Sequence, residues 1–73
     1  MTEDGRRVLE LLAATPNGAS EALLLARGFS RGVIFELLQT GCVSKTHERT
    51  FAAGQPVYID RVVITDAGRA AIS

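Results

Sequence analysis

Between Arg61 and Ile72 the chain changes its apolar period within two residues. Arg61-Val-Val-Ile64 reads as the end of an apolar strand, and Asp66-Ala-Gly-Arg-Ala-Ala-Ile72 reads as a short, Ala-rich helix. At the junction, Thr65 or Asp66 can accept hydrogen bonds from the free N–H groups of the first turn. Asp66 also complements the positive end of the helix dipole. Everything upstream has to lead into this strand-to-helix joint.

Val8, Leu11 and Leu12, with Leu9 beside them, recur at helical spacing behind an acidic start, which predicts a helix over residues 3–14. Thr15-Pro-Asn-Gly18 ends it, since proline cannot continue the helical hydrogen-bond pattern and Asn-Gly suits a turn with positive φ. Ser20 can cap a second helix over 20–27, whose inward face would use Leu23, Ala26 and one of Leu24 or Leu25. Gly28 permits a sharp turn, Phe29 can plug the space between helices, and Ser30 can cap a third helix over 30–40. In that helix Val33, Ile34, Leu37 and Leu38 form one apolar stripe, and Gly41 stands where a C-terminal glycine is expected. Three short helices thus precede any strand.

From Cys42 the period becomes two, with Val43, Lys45, His47, Arg49 and Phe51 alternating with polar neighbours. Ala52-Ala-Gly-Gln55 supplies a reversal and Pro56–Ile64 a second, more apolar strand, so an antiparallel hairpin spans 42–64. Tyr58, Val62 and Ile64 lie on one side of that strand and Val57, Ile59 and Val63 on the other. One face would pack on the helices, and the other wants a second cover. The expected buried set is Leu11, Leu12, Leu23, Phe29, Ile34, Leu37, Leu38, Val62 and Ile64.

Two motifs carry a resemblance. Arg27-Gly28-Phe29 followed by Ile34 and Leu37 matches the helix-turn-helix pattern of a glycine with core residues at set offsets. Val63-Ile64-Thr65-Asp66-Ala67-Gly68 is similar to a post-wing strand and helix start. In this order they resemble the winged helix-turn-helix domains of small bacterial regulators, such as the MarR-like and ArsR-like groups, over nearly the whole chain. The resemblance implies an α+β winged helix: three short helices, an antiparallel hairpin as wing and a short C-terminal helix, forming a single domain over 1–73. It further implies that the helix matching 30–40 enters a DNA major groove while the hairpin touches the backbone or minor groove. That carries DNA contact to Arg31, Gln39 and Thr40 on the helix and to Lys45, His47 and Arg49 on the hairpin.

Composition bounds this reading. Seventy-three residues suffice for one core, and 47% hydrophobic content with no membrane-length apolar run indicates a soluble fold. The first seven residues do not read as a signal peptide and one cysteine cannot form an internal disulfide, so a cytoplasmic location is expected. Eight basic residues balance eight acidic ones, so nucleic-acid binding would depend on a local patch. Residues 27–61 carry Arg27, Arg31, Lys45, Arg49 and Arg61 against Glu36, Glu48 and Asp60, a mild basic bias. His47 is the only histidine and forms no metal set with Cys42 or Glu48, and no nucleophile motif adjoins it. No metal, cofactor or catalytic residue is assigned, and Cys42 reads as a buried structural thiol. Two functions stay open. One is double-stranded DNA binding. The other is a protein-interaction or dimerisation module in which Phe35, at the edge of the third helix, and the Val57, Ile59, Val63 face meet a partner protein or a second copy.

Overall fold

Each of the four helices opens on a side-chain hydroxyl that replaces a missing helical acceptor. Thr2, Ser20, Ser30 and Thr65 accept from the backbone N–H of Gly5, Leu23, Val33 and Gly68 and so start α1 (Glu3–Ala13), α2 (Glu21–Ala26), α3 (Arg31–Gln39) and α4 (Asp66–Ile72). The computed structural model describes all residues 1–73. α2 and α3 close alike: Gly28 and Gly41 adopt positive φ (95° and 76°). The following N–H groups of Phe29 and Cys42 then reach back to the carbonyls of Leu24 and Leu37.

The strands are β1 (Ala19–Ser20), β2 (Val43–Ala52) and β3 (Gln55–Ile64), arranged β1-β3-β2 with every pairing antiparallel. The protein is therefore α+β, four helices with a three-stranded antiparallel sheet. Two departures from expectation appear here. A two-residue strand precedes α2, paired as Ala19↔Val62 and Ser20↔Arg61, whereas the sequence suggested no strand before the hairpin. Its two residues are too few for any periodicity to register. The second departure is the phase of α2: Leu24 is fully buried while Leu23 is 44% exposed and Ala26 faces solvent. Pairing of β1 with β3 sets where α2 starts, and the turn that brings Phe29 back to the Leu24 carbonyl selects Leu24 as the inward residue.

The core joins Val8, Leu9 and Leu12 of α1, Leu24, Ile34 and Leu37 of α2 and α3, and Val43, Val62 and Ile64 of the sheet, with Ala19 and Cys42 completing it. Leu11, Phe29 and Leu38, expected inside, pack half-buried at its margin. Two glycines are required by close approach. A Cβ on Gly68 would run into the Cys42 carbonyl oxygen and stand 2.8 Å from Ile64 Cγ1. One on Gly18, already at φ +77°, would meet the Val62 carbonyl and lie 2.8 Å from Val63 Cγ2. These glycines let α4 and the loop after α1 lie directly on the sheet.

Strands of ten residues are about 33 Å long, more than the helices can cover. The molecule measures 42 × 23 × 21 Å, and the hairpin's far half extends past the core. Ala53 and Gly54 form its two-residue turn with φ of 53° and 79°, the left-handed pair whose twist matches that of the flanking strands. Tyr58, on the same face as the buried Val62 and Ile64, is exposed. No helix is long and apolar enough to cross a membrane.

Candidate nucleic-acid and protein-contact surface

The hairpin register decides which side chains meet. Val43↔Ile64, Lys45↔Val62, His47↔Asp60, Arg49↔Tyr58 and Phe51↔Pro56 are opposite pairs, and strand alternation puts all ten side chains on the helix-side face. Along this face the surface passes from apolar core, through a charged belt, to an aromatic tip.

Glu21, at the start of α2, organises the belt. Its carboxylate lies 3.3 Å from Arg31 Nε and 3.1 Å from Lys45 Nζ. Asp60 also approaches Lys45 (3.8 Å) and accepts from the Nδ1–H of His47 at 2.6 Å. The structure thus brings Arg31, Lys45 and His47 together, but around two carboxylates that the sequence reading did not single out. Availability differs between the cations. The Arg31 side chain is 79% exposed with one partner, whereas that of Lys45 is 37% exposed between two. Exposed ion pairs contribute about 0–1 kcal/mol, so Arg31 can exchange Glu21 for another anion far more readily than Lys45 can.

Arg49 has no carboxylate partner; its guanidinium lies 5.6 Å from the centroid of Phe51. The His47 ring stacks on Tyr58, with centroids 5.5 Å apart and planes 13° from parallel. On α3, Arg31, Phe35 and Gln39 form one outward stripe at i, i+4, i+8, and Phe35 is 61% exposed. Thr40, at the helix end, turns its hydroxyl to the Leu37 carbonyl, so its side chain serves the helix terminus.

On the opposite face Val63 and Ile59 are half-buried and Val57 is exposed. Arg61 lies between Ile59 and Val63 and is held by Glu48 (3.0 Å) and the Asn17 carbonyl (3.4 Å), so its aliphatic stem supplies part of the cover expected from a partner. β1 pairs with β3 only at Arg61 and Val62, leaving the outer edge of β3 open towards the hairpin tip. A groove of about 450 Å³ runs there, between Ala22 and Leu25 of α2 and Val57–Asp60. Pro56 sits on this edge and withholds an N–H from any strand that would pair alongside. No three His, Cys, Asp or Glu side chains converge as a metal site would require.

The hydrogen bond from His47 holds the Asp60 carboxyl below the ordinary value of 3.8, with Lys45 and the His47 charge acting in the same direction against a smaller desolvation effect. Because the folded-state value is the lower one, this contribution to stability is present above the ordinary carboxylate value and disappears as pH falls through the folded one. An NMR titration of the Asp60 carboxyl carbon is expected to give a midpoint below 3.8, moving upward in His47→Ala. An unshifted midpoint would mean that the His47 bond is not kept in solution. No protein-family model, no curated protein and no solved structure matches the chain.

Proposed function

We propose that this chain is a non-catalytic winged-helix module that grips double-stranded DNA, with α3 in the major groove and the β2–β3 hairpin as the wing along the backbone. The element order, with a short strand before α2 and a long hairpin after α3, supports this reading. One observation carries it. Glu21 bridges Arg31 at the start of α3 to Lys45 on the hairpin. Arg31, which begins the outward stripe of α3, and Lys45, on the hairpin face that also bears His47 and Arg49, thereby meet at one carboxylate.

Within this reading Arg31 and Arg49 take the phosphates, since one is held by a single exposed ion pair and the other by none. Lys45 and His47 stiffen the joint between α2 and the wing through Glu21 and Asp60. Phe35 and Gln39 lie where base edges would be read, Phe35 against a thymine methyl. Balanced overall charge implies weak, salt-sensitive binding with Kd on the order of 10⁻⁴ to 10⁻⁶ M, the range of sequence-independent readers.

Titration of a fluorescent duplex at two salt concentrations tests this. Arg31→Ala and Arg49→Ala should each weaken binding and lower the salt slope by about 0.9, with Phe35→Ala having a smaller effect. Absence of wild-type binding at about 100 μM protein would remove the proposal. The open β3 edge, its apolar groove and exposed Phe35 favour a second reading, a protein-contact or self-association module. That reading takes over if duplex binding is absent while sedimentation shows association that Val57→Lys abolishes.

A further inference from the structure

The tip half of the hairpin differs in chemistry from its base. Between Arg49 and Tyr58 there is no acidic residue, and Arg49 is the only charge. On the helix-side face this stretch carries Phe51, Arg49 and Tyr58, and His47 stacks on Tyr58 from the belt side. Three aromatic or heteroaromatic rings and one guanidinium plane therefore form a row about 14 Å long, spanning the four residue steps from His47 to Phe51 at roughly 3.4 Å each. Phe51 is 64% exposed and Tyr58 60%.

Exposed rings of this size would ordinarily be buried, since each carries a large apolar surface. The hairpin instead holds them apart from the core in a face with a positive, carboxylate-free centre. A duplex offers such a row only phosphates and groove edges, because its base faces are stacked on one another. An unpaired strand offers both an anionic backbone and free base planes, which aromatic side chains and arginine accept irrespective of sequence.

We propose that the helix-side face of the hairpin tip binds unpaired nucleic acid, with bases stacking on Tyr58 and Phe51 and Arg49 taking a phosphate between them. This goes beyond the duplex reading and does not rest on it, since Tyr58 and Phe51 have no part in the contacts assigned to α3. Tyr58 is also the only tyrosine in a chain without tryptophan, so it is the protein's sole intrinsic emitter in the usual range and lies within the site.

The test uses the whole chain with a fifteen-nucleotide oligothymidine, an abasic oligomer of equal length and a fifteen-base-pair duplex. The oligothymidine is expected to bind and to quench Tyr58 emission, while the abasic oligomer binds at least tenfold more weakly. Tyr58→Ala and Phe51→Ala should each weaken oligothymidine binding about tenfold, and Tyr58→Phe should restore it, with far-UV circular dichroism unchanged throughout. Equal affinity for the abasic and base-bearing oligomers would overturn the proposal, leaving only phosphate attraction. So would absence of oligothymidine binding at about 100 μM, which would leave the exposed rings to a protein partner. The duplex arm, with Arg31→Ala, reports separately on the α3 reading, so either can fail while the other stands.

Discussion

Gly68→Ala is expected to destabilise the protein by about 3 kcal/mol, although alanine is the better helix former by about 1 kcal/mol. The added methyl would be driven into the Cys42 carbonyl, with Ile64 Cγ1 only 2.8 Å away. Neither neighbour can retreat at little cost. The same carbonyl accepts the Thr65 N–H that joins β3 to α4, and the Ile64 side chain is part of the core. A single core in a chain of this size supplies about 3–5 kcal/mol, so much of the population should be unfolded at 25 °C. Urea denaturation followed by circular dichroism measures this directly. Gly32→Ala is the matched control: it is also a helical glycine, but its Cβ would meet nothing nearer than Ser30 Oγ at 3.7 Å. It should raise stability by up to about 1 kcal/mol. A Gly68→Ala variant as stable as the Gly32 variant would mean that α4 does not lie against Cys42 in solution.

The second large effect is a contrast between adjacent leucines. Leu24→Ala should cost about 2–5 kcal/mol, because it empties a fully buried site in the core where α2 packs on the sheet. Leu23→Ala should cost no more than about 0.5 kcal/mol, since Leu23 faces solvent. Both are Leu-to-Ala changes in one six-residue helix, so intrinsic helix preference largely cancels in the comparison. Denaturant midpoints that came out equal, or in the reverse order, would put α2 in the opposite phase.

That phase is where the sequence was least legible. α2 has fewer than two turns and three leucines in succession, so several inward faces satisfy its pattern. The anchor that decides among them, pairing of Ala19 and Ser20 with β3, depends on residues more than forty positions away. α1 and α3 are longer, and their ends carry local signals: Ser30 before α3 and Gly41 after it stand where the sequence puts them. The hairpin was legible for the same reason, as Ala53-Gly54 is local turn chemistry and the alternation continues on both sides.

The site was only partly readable. Arg31, Lys45, His47 and Arg49 could be proposed from the resemblance to winged helices, but not the carboxylates that hold three of them. Glu21 comes from a different element, and nothing in its neighbourhood marks it as a partner for Lys45, twenty-four residues on. Asp60 and Tyr58 were within reach. Once the turn is centred on Ala53-Gly54, counting back along both strands pairs His47 with Asp60 and Arg49 with Tyr58. The signal was the register, which fixes side-chain partners as firmly as it fixes faces.

The overhang of the hairpin has a consequence for how such a chain can change over generations. Residues 47–58 hold the exposed rings and the unpaired arginine, and none of them belongs to the buried cluster. Substitutions there are drawn from the surface class, whose effects on stability are usually within about 0.5 kcal/mol. Apart from the Ala53-Gly54 turn, whose positive φ restricts the choice of residue, the tip can therefore be rewritten, one residue after another, with little risk to folding. A chain of 73 residues has little stability in reserve. Exposed rings placed beyond the core can be exchanged without spending that reserve.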